Sequence, residues 1–380
     1  MKKKISAEII ADSVSIAGDR VTTFMLTFPR FILPELNTHR MLSKNSASSR
    51  AIPFKTMVKS VEDDPFIPIA WQKEHKGMQG SDYFTDENFK TYYDNKYHDG
   101  KLFVDSFNGD WLNACYKAID SAKKLSYGRR QSENHQYYDN SSLTKQLTNR
   151  ILEPFMWHTV LLTATELENF YELRCPKYQH QDGEIFKSWS DLVKNAMKSG
   201  GSRDLVDGLE NYSLIEKLKC SQSGAEIHIQ ALAEAMWDAQ NESTPKLLQP
   251  GEWHIPFGNK IDDLKIYDLM TNDAAITNHP VRYNRTLEKP LIQEYKIKIS
   301  TARCARLSYM TFDGEIDYEK DIKLHDQLHE SKHFSPFEHC CKAPTVKEIS
   351  GIGSGFTHID KDGKLWSGNF KGFIQYRHLL

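Results

Sequence analysis

Residues 37–50 read Asn37-Thr38-His39-Arg40-Met41-Leu42-Ser43-Lys44-Asn45-Ser46-Ala47-Ser48-Ser49-Arg50. These fourteen residues hold one histidine, two arginines, one lysine, two asparagines and four serines. Arginine supplies forked donors and serine short ones, so the stretch has the chemistry to hold a phosphate-bearing or otherwise anionic ligand. The same composition also suits a solvated, serine-rich surface loop. The flanking sequence has to decide between the two.

Upstream, residues 5–28 alternate as two strands, with Ala17-Gly18-Asp19 as the turn and Pro29 as the stop. FILPELNTHRML then begins a helix that delivers His39 and Arg40. At Ile52-Pro53-Phe54 the chain leaves in an extended conformation, because a residue before proline avoids the α region. Residues 60–110 are polar, aromatic and irregular, which suits a lid or an insertion with a function of its own.

Further along, Trp111, Ala114, Cys115, Ala118, Ile119, Ala122 and Leu125 recur at helical spacing. Leu143, Leu147 and Ile151 suggest a helix ended by Pro154, and residues 155–174 read as one long buried helix. A polar insertion at 178–222 follows, then a helix over AEIHIQALAEAMWDA with Ile227, Ala231, Leu232 and Ala235 on one face. Residues 241–290 connect, and YKIKISTARCARLSY then reads as a strand running into an arginine-bearing turn. Asp321–Glu330 is a helix, HFSPFEH follows it, and the glycine-rich tail reads as a hairpin. Strands and helices without regular βαβ alternation predict an α+β fold.

Composition narrows the function. Of 380 residues 39% are hydrophobic and 26% charged, with a formal charge of −2, so no stable nucleic-acid partner is expected. No apolar run is long enough to span a bilayer. MKKKISAEIIADS has a basic start without an apolar region, so no signal peptide is read. Cys115, Cys175, Cys220, Cys304, Cys340 and Cys341 lack CxxC spacing, which predicts a reduced, cytoplasmic protein. His325, His329 and His333 are spaced as a helix-borne metal site would be, but HExxH is absent and no metal is expected.

Four blocks carry a resemblance. Thr38-His39-Arg40-x-x-Ser43-x-Asn45-Ser46-x-Ser48-x-Arg50 resembles the R-H-R-x-x-S-x-N-E-x-S-x-R signature of flavin-dependent thymidylate synthases. His333–His339, HFSPFEH, resembles that family's H-x-(S/T)-P-F-E-H, and Ala305-Arg306-Leu307-Ser308-Tyr309 its A-R-V-S-Y. Arg150 before Pro154, and Asn169–Arg174 as NFYELR, resemble its A-R-x-x-L-P and N-F-x-x-L-R segments. In the family the A-R-V-S-Y and P-F-E-H blocks come first; here they come last. The order implies a circular permutation, which is physically cheap where termini lie close together on the surface. A phage-encoded enzyme in a host cytoplasm would suit that order.

The resemblance covers about half the chain. It implies one elaborated catalytic domain over 1–380. That domain would have a signature block at 5–60, a helical block at 111–240, a connection at 241–300, a permuted block at 301–343 and a tail at 344–380. It implies a mixed sheet flanked by long helices, FAD as cofactor, and NADPH and methylenetetrahydrofolate as co-substrates. The reaction implied is reductive methylation of deoxyuridine monophosphate at C5, in a homotetramer.

Residue by residue, His39, Arg40, Asn45, Asn169, Ser308 and His333 match flavin-side positions. Glu35, Ser48, Arg50, Arg150 and Arg174 match nucleotide-side positions, with Arg40 and Arg174 closest to the chemistry. Four departures stand out: Thr38 and Ser46 replace an arginine and a glutamate, Glu35 a glutamine, and Thr163-Ala164-Thr165 an N-x-R. Glu35 could accept from a cytosine amino group, so deoxycytidine monophosphate is an alternative substrate. The lost cations would also suit a nucleotide-binding protein that kept the fold without catalysis.

Overall fold

The first long hairpin forms as its alternation demands. Strands β1 (Ser6–Ser15) and β2 (Arg20–Pro29) pair from Ser6↔Thr27 to Val14↔Arg20, with a bulge between Ile9 and Ala11. Gly18 supplies the left-handed φ of 85° that the turn requires. A short helix α1 (Leu33–Thr38) follows, then strand β3 (Ser43–Ser46) and helix α2 (Phe54–Asp63). Next come α3 (Lys101–Tyr127), β4 (Trp157–Ala164), α4 (Glu168–Arg174), α5 (Ile227–Glu242), β5 (Lys246–Leu248), α6 (Arg285–Ala305) and α7 (Tyr318–Glu330). This computed structural model describes residues 2–77, 80, 82–84, 101–127, 143–180, 183–198, 208–209, 211–272, 285–308, 317–349, 353 and 355–380. Gly200, Gly201, Tyr309 and much of the 60–110 stretch lie outside them.

The main sheet runs β3-β4-β2-β1-β5. All its pairings are antiparallel except β1 with β5, so the α+β chain is built on a mixed sheet. One face buries Phe24, Leu26, Phe28, Val160 and Leu162 against Ile229, Leu232, Ala233 and Met236 of α5. Each such fully buried side chain stabilises the fold by roughly 1.5–3 kcal/mol. On the other face Met25 and Leu161 meet Cys304 and Leu307 at the end of α6.

Several expectations give way. Residues 155–174 are not one helix: they divide into β4 and α4. β4 lies between β3 and β2 with both faces covered, so its apolar run loses the alternation that would mark a strand. YKIKISTARCA is helical, not extended, and buries Ile297, Ser300, Thr301 and Cys304 at helical spacing. Helix α3 starts at Lys101 rather than near Trp111. Pro53 does not lead into extended chain but stands at the N-cap of α2. The helix expected over Leu143–Ile151 is a single turn, Lys145–Thr148, followed by a 3-10 segment, Asn149–Phe155, that contains Pro154. The connecting segment holds β5, a strand at Trp253–His254 and a helix at Asp263–Asn272. The tail is built as expected, from short antiparallel strands at His358–Ile359, Leu365–Ser367 and Phe370–Lys371.

Helix α5 opens on an unusual cap. The Glu226 carboxylate accepts from the backbone N–H of His228 at 2.8 Å and of Ile229 at 3.3 Å. His228 in turn accepts the Ile69 N–H at Nε2, 2.9 Å away. Glu226→Ala is therefore expected to lower unfolding free energy by about 1–2 kcal/mol in urea titrations; a wild-type midpoint would show the cap to be idle.

Candidate functional site

Strand β3 sends alternate side chains in different directions. Ser43 Oγ donates to Glu338 at 2.9 Å, while Asn45 donates to the Cys304 carbonyl at 3.3 Å and accepts from Ser335. Lys44 turns back, its ammonium donating to the carbonyls of Leu36 at 3.0 Å and His39 at 2.8 Å. Segments nearly 300 residues apart in the chain are thus joined along one edge strand.

Beside this joint lies an open cleft of about 1100 Å³. Asn45, Ser46, Ser48 and Arg50 line it from the opening stretch, and Ala305, Arg306, His333, Ser335 and Pro336 from the two C-terminal blocks. Helix α7 contributes Lys320, Lys323, Leu324, Gln327 and Leu328, which the i, i+3, i+4 spacing puts on one face.

The electrostatics of the cleft are one-signed. Lys44, Arg50, Arg306, Lys320 and Lys323 line it, and no carboxylate does among the described residues. Arg306 is 3.2 Å from buried Asp321 and Lys320 is 3.0 Å from Asp317. Arg50 and Lys323 form no ion pair among the described residues. Low-dielectric walls and uncompensated cations favour an anion. Ala305, Leu324, Leu328 and Pro336 add apolar surface of the sort that covers a planar ring.

A second group gathers at the end of α1. His39 is buried with Phe170 edge-on to its ring at 4.9 Å, and Arg174 Nε donates to His39 Nε2 at 3.0 Å. Burial first, then the charges of Arg174 and Lys44, hold the imidazole down at about 4. His39 is therefore neutral near pH 7, with its remaining proton on Nδ1. Burial also lowers the Lys44 ammonium to about 8.

The structure brings six of the expected site residues together in two sets. Asn45, Ser48, Arg50 and His333 share the cleft; His39 and Arg174 meet each other but do not line it. Arg40, Arg150 and Asn169 are exposed and do not line it either. Glu35 is half-buried and does not line the cleft, and its buried Oε2 lacks a hydrogen-bond partner among the described residues. The Ser308 side chain lies outside the described residues. Sequence reading missed Lys323, Leu324, Gln327 and Leu328, although their helical spacing could have marked a face.

The departures from the resemblance have structural occupations. Thr163 Oγ1 is bonded to Thr23 at 2.7 Å and to His339 Nδ1 at 2.8 Å, and Thr23 to His254 at 2.8 Å. All four are buried, and burial pulls His254 down to about 4 and His339 to about 3. Thr165 accepts the Lys371 N–H at 2.8 Å, and Thr38 donates to the Glu35 carbonyl at 2.7 Å. His325 is bonded to Asp326 at 2.8 Å and Tyr376 at 3.2 Å; among the described residues no three His, Cys, Asp or Glu converge as metal ligands. No described helix is long and apolar enough to cross a membrane.

No family model and no curated protein matches the chain. Among solved structures it is similar to the UMP/dUMP methylase PolB from Streptomyces cacaoi, bound with 5-Br UMP. The identity is 14%, covering 63% of this chain and 89% of that chain, with a TM-score of 0.33.

Proposed function

We propose that the cleft binds a pyrimidine deoxynucleotide and that the protein is a flavin-dependent C5 methyltransferase of the thymidylate synthase type. One observation supports this reading above the others. Three blocks singled out by sequence, the first about 250 residues from the others, line a single cation-bearing cleft that holds no carboxylate among the described residues. In this reading Arg50 and Ser48 take the nucleotide phosphate, Arg50 through its fork and Ser48 through its hydroxyl. Lys323 and Arg306 add positive potential, while Leu324, Leu328 and Pro336 exclude water from a ring.

The donor set also fits a flavin nucleotide, which carries phosphates beside a flat ring. FAD would be held by Asn45 and His333 together with this apolar wall. Reduced by NADPH, it would supply the hydride, with methylenetetrahydrofolate as the carbon source. His39, Arg40, Asn169, Arg150 and Arg174 lie off the cleft, so using them at the same site calls for a second copy of the chain; a homotetramer is the proposed assembly. His39 would there present a neutral ring fixed by Arg174.

A second reading has its own support. Glu35, off the cleft as His39 is, has a buried Oε2 acceptor without a partner among the described residues, suited to the exocyclic amine of cytosine rather than the carbonyl of uracil. The substrate would then be deoxycytidine monophosphate.

Purified protein is expected to carry or take up flavin and to lose its visible absorbance under NADPH without oxygen. Turnover with deoxyuridine against deoxycytidine monophosphate then assigns the base. A colourless protein that binds nucleotide but no flavin would leave the non-catalytic binding reading in its place.

A further inference from the structure

The last residues of the chain lie outside the four sequence blocks, yet they bond directly to two of them. Asn369 Nδ2 donates to the Met41 carbonyl at 3.0 Å and to Ser43 Oγ at 3.1 Å. Gln375 Nε2 lies 3.0 Å from Asn369 Oδ1 and 3.4 Å from both Ser43 Oγ and the Glu338 carbonyl. Arg377 pairs with the Glu338 carboxylate, whose other oxygen accepts from Ser43. Ser43 begins the strand that carries Asn45 and Ser46 to the cleft. Glu338 ends the turn that carries Ser335 and Pro336 there. Gln375 therefore touches both walls from behind, and it is buried, as is Ser43.

The hairpin is seated independently of these bonds. Phe370 and Phe373 are fully buried in a cluster with Val21, Leu248 and Cys341. Gly368, at φ 60°, makes the turn before Asn369, and a Cβ there would sit 2.8 Å from Gln375 Oε1. Aromatic burial anchors the tail, while the amides bond to Ser43 and the Glu338 carbonyl behind the cleft walls. The buried Gln375 amide ties Ser43, Glu338 and Asn369 into one geometry, because a displaced partner in such a place is left unpaired.

We propose that the C-terminal tail is a positioning element of the cleft, with Gln375 as the clamp between its two walls and Asn369 as its support. The ligand readout rests on the nucleotide reading above; the clamp itself does not.

The test uses the full chain carrying Gln375→Met, which keeps volume and removes the donors. Amide hydrogen exchange in residues 43–47 and 335–340 is expected to speed up about tenfold in both segments together. Affinity for deoxyuridine monophosphate is expected to fall about tenfold while the melting temperature stays close to wild type. Asn369→Asp, which keeps shape but cannot donate, should move the same readouts less and covers the case in which the first variant does not fold. Unchanged exchange in both segments would overturn the clamp. So would unchanged affinity with only a lowered melting temperature, which would mark a merely structural contact. If wild-type protein binds no deoxyuridine monophosphate, the nucleotide reading fails, and the exchange data still decide the clamp.

Discussion

Arg50→Ala is expected to weaken binding of deoxyuridine monophosphate about 100-fold and to leave the fold intact. Arg50 lines the cleft, is exposed, and has no ion pair among the described residues, so no structural contact depends on its guanidinium. Its backbone N–H donates to Ser48 Oγ at 3.3 Å, which shapes the turn and survives truncation of the side chain. A guanidinium forked onto a phosphate makes two charge-assisted hydrogen bonds, together worth roughly 3 kcal/mol, or about two powers of ten in affinity. Arg50→Lys keeps the charge and loses the fork, so a loss of about tenfold is expected. The same residue should carry part of the salt dependence, because an open cleft is only partly shielded from counterions. Calorimetric titrations of the three proteins at low and physiological salt make the comparison. Wild-type affinity in Arg50→Ala would move the phosphate away from this stretch altogether.

What could be read in advance follows from where the signal is local. The 6–29 hairpin, α5 and α7 each carry their own periodicity, and each is present. β4 carries none, because burial on both faces makes Trp157–Ala164 as apolar as a core helix. YKIKIS alternates by chance of lysine placement; Ser300, which looks polar, donates to the Pro256 carbonyl at 2.6 Å and belongs to the buried side of α6. The same division holds at the site. Asn45, Ser48, Arg50 and His333 were legible through motif spacing. The α7 lysine face and the tail amides belong to no motif, and only tertiary contact gives them a place beside the cleft. Thr163 is the clearest case. Read alone it is a missing asparagine; in the fold its hydroxyl links Thr23 to His339 across the sheet.

Acidification from pH 6.5 toward 5 is expected to remove about 3–5 kcal/mol of folding stability. Burial holds His158 at about 3, His254 at about 4 and His339 at about 3, against about 6.5 for a free imidazole. As pH falls through 6.5 the unfolded chain takes up three protons that the folded chain refuses, so stability is full above that pH and lost below it. His39, also held at about 4, acts in the same direction. Glu234 opposes them. Burial lifts its carboxyl to about 7, so in this window the folded chain keeps a proton that the unfolded chain has given up. Asp238 and Asp321, raised by burial too, join it at the acid end. Four protons against one leave three, a slope of up to about 4 kcal/mol per pH unit before the aspartates reduce it. Set against a total stability of roughly 5–15 kcal/mol, that brings the chain close to unfolding near pH 5. Glu234→Gln removes the opposing proton, so its stability should fall more steeply with acid than that of wild type. Urea midpoints measured between pH 7.5 and 5 report both slopes. A wild-type midpoint that stays flat over that range would mean that the buried histidines are charged in the folded chain or exchange freely with solvent.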